Sequence, residues 1–167
     1  MRGVSAILVA CGAAALLSGC GKKSEEPVMP SAAPATEAVA PASAAPPSPE
    51  QLKMLAALPA PFNTADPAAG ETKFALCRSC HIIVKGGPNL TGPNLYGVFG
   101  TKAAEVAGFD FSDAMKGSGF TWDAPTLDKW ITDPRAALPQ TKMTFVGVKD
   151  AKDRADIVAY VALQRDK

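Results

Sequence analysis

The sequence predicts an all-α domain made of short helices joined by loops rich in glycine and proline. Several segments after residue 62 space apolar residues three and four positions apart, as amphipathic helices do, and none alternates convincingly as a strand. Glycine and proline are dense between residues 86 and 100, which is typical of loops whose backbone passes close to something flat. The cluster Cys77-Arg78-Ser79-Cys80-His81 indicates what that flat group is.

This cluster is the attachment motif of c-type haem. On one helical turn the two thiols lie on the same side, so that each can form a thioether with a haem vinyl group, and the imidazole of His81 follows as an axial ligand of the iron. His81 is the only histidine in the chain, which excludes a second axial histidine from the same chain. The other axial position is therefore a methionine or open.

Two other interpretations of the cysteine pair are weaker. A zinc site needs four nitrogen or sulfur ligands, and this motif supplies three with no further cysteine or histidine nearby. A redox-active dithiol is expected within alternating strands and helices, which the following sequence lacks. We expect one covalently attached haem c.

Composition limits the remaining possibilities. The chain has 167 residues and a formal net charge of +1, so no nucleic-acid partner is expected. Much of the apolar content of the first third is alanine, so the core must come from residues after about 62. Cys11 and Cys20 lie in an apolar leader, and with Cys77 and Cys80 assigned to haem no disulfide is expected.

Residues 1–19 are predicted to be a signal peptide. Arg2 precedes an apolar run of about 14 residues, shorter than the roughly 20 needed to cross a bilayer. The run ends in Leu17-Ser18-Gly19-Cys20, which resembles a bacterial lipobox, so Cys20 is the predicted lipidation site. An ordinary secretory signal and an uncleaved anchor are the alternatives. Lipidation would place the protein on the periplasmic face of a bacterial membrane, and an ordinary secretory signal would leave it soluble in the periplasm.

Residues 20–61 are predicted to be a disordered tether. Between Pro27 and Pro49 the sequence is almost wholly alanine, proline and serine, which cannot bury enough apolar surface to offset conformational entropy. A short helix over 51–58, stopped by Pro59 and Pro61, is the one element expected here. The tether either lets the domain sample partners along one membrane or is a passive spacer.

Residues 62–167 are predicted to be the haem domain, and four helix starts can be read from it. Asp66 before Pro67 begins the helix that leads to the haem motif, and Ser112 begins a short helix ended by Gly117. The sequence Asp123-Ala124-Pro125 begins a helix that stops at Asp133-Pro134. Asp150 begins the last helix, which has Ile157, Tyr160 and Val161 on one face.

From about Asp66 to Gln164 the chain resembles a class I c-type cytochrome, the small monohaem family of bacteria and mitochondria. Besides the haem motif, the matching segments are Gly92-Pro93-Asn94-Leu95-Tyr96-Gly97, Phe120-Thr121-Trp122, Pro139-Gln140-Thr141-Lys142-Met143-Thr144-Phe145 and Arg154-Ala155-Asp156-Ile157-Val158-Ala159-Tyr160. The resemblance implies the class I fold, with helices and loops wrapped around one haem.

The resemblance also implies roles for individual residues. Met143 would be the distal ligand, and the carbonyl of Pro93 would accept the ring N–H of His81. Trp122 and Thr141 would hydrogen-bond a haem propionate. On the first helix of the domain, Gly70 and Phe74 would pack against Ile157 and Tyr160 of the last. Four cations would ring the exposed haem edge and dock partners, unless they are merely solvated: Arg78, Arg135, Lys142 and Lys149.

The expected function is one-electron transfer by a monomer, not catalysis, between a quinol-oxidising complex and a terminal oxidase or reductase. A labile Met143 bond would instead allow peroxidase-like or gas-binding activity, and a third possibility is a fixed subunit of a larger oxidase.

Four departures from the family pattern bear on the site. Gln140 stands where a glycine is usual, which predicts a strained or rearranged methionine loop. Thr101 replaces an arginine that often helps to bury a propionate, and Met115 replaces a polar residue. Phe109 and Phe111 stand where tyrosines often hydrogen-bond the haem edge.

Overall fold

The computed structural model describes residues 46–166, which form six α-helices and two 3₁₀ turns. The helices are α1 (Pro49–Ala56), α2 (Pro67–Lys73), α3 (Asp113–Lys116), α4 (Ala124–Thr132), α5 (Pro134–Ala137) and α6 (Ala151–Leu163), with 3₁₀ turns at Phe62–Thr64 and Phe74–Leu76. In this described part the β-type pairing is one isolated bridge between Lys102 and Thr121. The all-α prediction is confirmed. The predicted signal peptide and Cys20 lie outside the described residues.

Helix α1 lies within the segment that was predicted to be a disordered tether. Ser48 and Gln51 form a capping box at its start, and the helix contacts α6 and the first 3₁₀ turn. An eight-residue helix is marginal in water by itself, so packing on the domain stabilises it. The short helix expected over 51–58 is therefore present, although it begins and ends two residues earlier. Residues 20–45 of the tether lie outside the described part.

The pairing of α2 with α6 is the main helix contact of the domain. Asp66 caps α2 through the backbone N–H groups of Ala68 and Ala69, as predicted. The rings of Phe74 and Tyr160 have centroids 5.4 Å apart. Gly70 faces the backbone of Asp156 so closely that no side chain would fit between the helices. The expected packing of Gly70 and Phe74 on the last helix is confirmed at Tyr160.

Asp156 joins the two helices by hydrogen bonds from inside the core. Its side chain is only 2% exposed, and its Oδ1 accepts the backbone N–H of Asp66 at 2.8 Å. Its Oδ2 accepts from Lys152 Nζ at 2.7 Å. A buried carboxylate is tolerated where both oxygens have donors, and here the donor from Asp66 fixes how α6 lies on the start of α2.

The middle helices form the other wall of the core. Asp123 caps α4, and Asp133 both ends α4 and caps α5. The indole of Trp130 packs edge-to-face on Trp122, with ring centroids 5.5 Å apart. The start and stop of α4 agree with the sequence predictions, and so does the capping of α6 by Asp150, whereas α5 was not predicted. No helix within residues 46–166 is long and apolar enough to span a bilayer.

Candidate haem site

The helices and loops enclose a cavity of about 370 Å³ that is lined mainly by apolar side chains. Its lining includes both cysteines of the attachment motif, His81 and Met143, although the last lies more than sixty residues away in sequence. Further apolar lining comes from segments spread over the whole domain, including Phe74, Leu95, Phe109, Phe111, Trp122, Ile157 and Val161. The cavity thus brings together the axial residues named by the sequence in a largely apolar surrounding.

The His81 ring is fixed by two neighbouring loop residues. Its Nδ1 lies 2.7 Å from the carbonyl oxygen of Pro93, and because a carbonyl can only accept, Nδ1 must bear the hydrogen. Gly92 packs against the ring so tightly that an added Cβ would overlap it. Burial lowers the pKa of His81, although the bond to Pro93 opposes this shift. The ring is therefore a neutral imidazole whose Nε2 retains its lone pair, the form that binds a metal.

The cysteine pair lies on a single helical turn. The backbone N–H groups of Cys80 and His81 both donate to the carbonyl of Cys77, at 3.1 and 2.9 Å. Burial, aided by the nearby Cys80, raises the pKa of Cys77 to about 11. Redox-active dithiols have a lowered thiol pKa, so this environment does not favour that interpretation. Within residues 46–166 no group of three or more histidine, cysteine, aspartate or glutamate side chains could hold a metal ion.

Gln140, in the methionine loop, has a backbone conformation that favours glycine. Gln140 has φ +69°, in the left-handed region, which costs a side-chain-bearing residue of order 1 kcal/mol. The next residue, Thr141, uses its hydroxyl oxygen to accept the backbone N–H of Met143 at 3.2 Å. The strain predicted at Gln140 is therefore present, and the loop bears it without moving Met143 out of the cavity lining.

The polar groups in the cavity wall fit a prosthetic group that has an anionic edge. Trp122 is buried and lines the cavity. Thr141 also lines the cavity, whereas the hydroxyl of Thr101 donates to the carbonyl of Val98 at 2.8 Å. An apolar cavity with few polar groups, a neutral imidazole and a thioether is a chemical match for haem.

The four predicted docking cations have different surroundings, and their docking role stays a prediction. Lys142 lines the cavity, whereas Arg78, Arg135 and Lys149 do not. The Lys149 ammonium donates to the carbonyl of Thr132 at 3.0 Å, and Arg78 lies 3.9 Å from Glu71. These four positions were inferred from the geometry of the family. That geometry gives no information about the carboxylates and carbonyls that lie near each cation in this chain.

Two of the cavity-lining residues that were not predicted are unusual for their charge or their backbone conformation. Lys102 lines the cavity from the isolated bridge with Thr121, and Ala104 lines it with φ +66°, a second left-handed residue that is not glycine. Lys102 directly follows Thr101, which stands where the family often has an arginine. That departure was the sequence signal for a cation at this edge of the cavity. Nothing in the sequence indicates a left-handed conformation at an alanine.

Comparison with known proteins identifies the family. Cytochrome c2 of Rhodomicrobium vannielii is 46% identical over 103 residues, which make up 62% of this chain and 82% of that protein. The chain belongs to the class I c-type cytochromes. Cytochrome c of Kluyveromyces lactis is 39% identical to this cytochrome over 105 residues, covering 62% of the chain and 96% of the relative.

A solved structure agrees with this membership. Cytochrome cH from Methylobacterium extorquens matches the cytochrome with a TM-score of 0.55 and 48% identity, over 58% of this chain and 97% of that one. No family model matches the chain. As a c-type cytochrome the protein has one covalently attached haem c and is an electron carrier, not an enzyme, so these predictions are confirmed.

Proposed function

We propose that the protein is a periplasmic one-electron carrier whose haem iron is ligated by His81 and Met143, with thioether bonds to Cys77 and Cys80. The supporting observation is the single apolar cavity whose lining includes all four side chains. Haem c, when bound, supplies the one-electron ferric–ferrous couple. With both axial positions filled from the chain, no exchangeable site is left for bond chemistry.

The chain contributes the electronic setting of that couple. Pro93 holds the proton on Nδ1 of His81 and so directs Nε2 to the iron, and a hydrogen bond to the other ring nitrogen makes the imidazole a stronger ligand. The thioether of Met143 favours the ferrous state relative to a second histidine. Trp122 and Thr141 are proposed to hydrogen-bond a haem propionate.

Paired methionine variants test the axial ligation. Met115 also lines the cavity and is 6% exposed, which makes it a matched control for Met143. Met143→Leu should abolish the weak long-wavelength band of the ferric protein that reports iron–sulfur ligation, whereas Met115→Leu should retain it. Retention of the band in Met143→Leu would exclude Met143 as the ligand.

The same preparations separate a carrier from an enzyme or gas sensor. The wild-type protein should bind carbon monoxide slowly and turn over peroxide poorly, and Met143→Leu should do both faster because an axial position opens. Fast carbon monoxide binding by the wild type, without the sulfur band, would favour the sensor or peroxidase hypothesis. Such lability is the property that a strained Gln140 would promote.

The compartment and the membrane attachment are also proposals. We infer a signal peptide over residues 1–19, lipidation of Cys20 and a tether that begins there, on the basis of the Leu17-Ser18-Gly19-Cys20 sequence. The intact mass of protein from its native membrane would report haem attachment, cleavage before Cys20 and acylation together. In Cys20→Ser the protein should leave the membrane fraction, and an unchanged distribution would favour the soluble alternative.

The proposed partners are a quinol-oxidising donor and a terminal oxidase or reductase, approached by a monomer. Arg78, Arg135, Lys142 and Lys149 are the proposed docking cations. Arg135→Gln should lower the second-order rate of reduction by such a donor, with a smaller effect at high salt. Lys53→Gln, the same charge change on α1, is the control and should leave the rate unchanged.

A further inference from the structure

A charge cluster ties the methionine loop to the segment that contains Asp110. Lys142 donates to the Asp110 carboxylate Oδ2 at 2.6 Å and to the backbone carbonyl of the same residue at 2.9 Å. Lys116, at the end of α3, lies 3.6 Å from the other oxygen of Asp110. Asp110 sits between Phe109 and Phe111, which both line the cavity and pack edge-to-face with centroids 4.7 Å apart.

These contacts are the hydrogen bonds that connect the loop to a distant segment, and Met143 and Phe145 add apolar packing against the core. The bonds of Thr141 to Leu138 and of Met143 to Thr141 are local to it. Among the residues that the structure describes, the hydrogen bonds that leave residues 139–147 for a segment far away in sequence are the two made by Lys142. Beyond the loop, the chain is next held where Val148 donates to Ile131.

We propose that Asp110 is a positioning residue that, through Lys142, keeps the Met143 loop closed over the cavity. The proposal rests on the proposed function, because closure matters to ligation only if Met143 binds the iron. Lys116 completes the arrangement by holding the Asp110 carboxylate from its other oxygen, so that the carboxylate lies between two cations.

The expected effect is local and not global. Lys142 and Asp110 are both more than half exposed, and exposed ion pairs contribute little to the free energy of unfolding. Opening of the loop breaks far fewer contacts than unfolding does. The small free energy of the ion pair is therefore a larger fraction of the free energy of loop opening than of the free energy of unfolding. The strained backbone at Gln140 favours opening of the methionine loop. The contacts of Lys142, two residues further on, oppose that opening.

Displacement of Met143 by imidazole in the ferric holoprotein tests this proposal. The experiment uses mildly alkaline buffer, where imidazole is neutral and does not itself respond to a change in protein charge. Asp110→Asn keeps the backbone carbonyl contact and removes the carboxylate charge. It should increase the rate and the affinity of imidazole binding about two- to fivefold, the range expected for one exposed ion pair.

Asp113→Asn is the matched control. Asp113 is fully exposed and pairs with Lys116 alone, so its loss changes the net charge equally without touching Lys142. It should bind imidazole as the wild type does, with an unchanged melting temperature in both variants. A double-mutant cycle of Asp110→Asn with Lys142→Gln should show coupling, and added salt should accelerate imidazole binding to the wild type but not to Asp110→Asn.

The possible outcomes separate this inference from the proposed function. If the wild type shows the sulfur band and Asp110→Asn behaves like Asp113→Asn, whether both are fast or both are unchanged, the positioning role is overturned while axial ligation stands. If the wild type lacks the sulfur band, His81–Met143 ligation itself fails. Coupling in the cycle together with a silent Asp113→Asn would support the role of Asp110.

Discussion

The closest helix contact in the domain offers the sharpest test of the fold. At Gly70, an added Cβ would overlap the backbone carbonyl oxygen of Asp156 and lie 2.5 Å from its carbon and 2.9 Å from Tyr160 Cβ. None of these atoms belongs to the flexible end of a side chain. Gly70→Ala should therefore push α6 away from α2 and not be absorbed locally.

Two opposing terms set the size of the effect. Alanine is favoured over glycine in a helix by about 1 kcal/mol, which acts to stabilise the variant. Overpacking a close contact costs about 1–3 kcal/mol, and a backbone-to-backbone clash belongs at the upper end or beyond. The net loss should be about 2 kcal/mol, which for a domain of this size lowers the melting temperature by roughly 6–12 °C.

Thermal unfolding of the holoprotein, followed by far-ultraviolet circular dichroism, measures this loss. Gly117→Ala is the control, because its Cβ would meet nothing closer than the Asp113 carbonyl oxygen at 3.4 Å. It should change stability little. A Gly70→Ala protein as stable as the wild type would refute the packing of α2 on α6 as described, since helix propensity alone predicts a gain.

Three further substitutions test other contacts. Asp156→Ala should destabilise the protein by about 1–3 kcal/mol in urea unfolding, because the hydrogen bond from the N–H of Asp66 to a buried carboxylate is lost, whereas Asp156→Asn should cost less. Gln140→Gly removes the left-handed strain, and the sulfur band should persist to a higher temperature on heating; an earlier loss would contradict the strain argument. Gly92→Ala places a methyl group on the His81 ring and should alter the low-spin haem spectrum, and an unchanged spectrum would mean that the ring is not confined there.

The candidate site was predictable to the extent that it is encoded in short motifs. Cys77, Cys80 and His81 are recognisable because attachment to haem requires their spacing within one turn. The contact between His81 and Pro93 was expected from the family resemblance, and the structure contains it at 2.7 Å. Such features depend on a few neighbouring residues, so the sequence specifies them directly.

The charged surface was less predictable, because it depends on which ions become neighbours after folding. The docking role of Lys142 stays a prediction, and its pairing with Asp110, thirty-two positions earlier in the chain, was not predicted. A short helix was expected over 51–58, but the packing of α1 on α6 was not, since the composition of the segment gives no sign of the surface that stabilises it. Both unpredicted features arise from long-range contacts that leave no local pattern.

The sequence by itself determined the haem motif, the all-α class and the starts of α2, α3, α4 and α6, because caps, prolines and thiol spacing act over a few residues. Only the tertiary structure decided that Met143 and His81 line one cavity, that Gln140 keeps a left-handed backbone, and that Asp110 holds Lys142. These outcomes depend on the closure of long loops around a shared core, and chain neighbours cannot specify that closure.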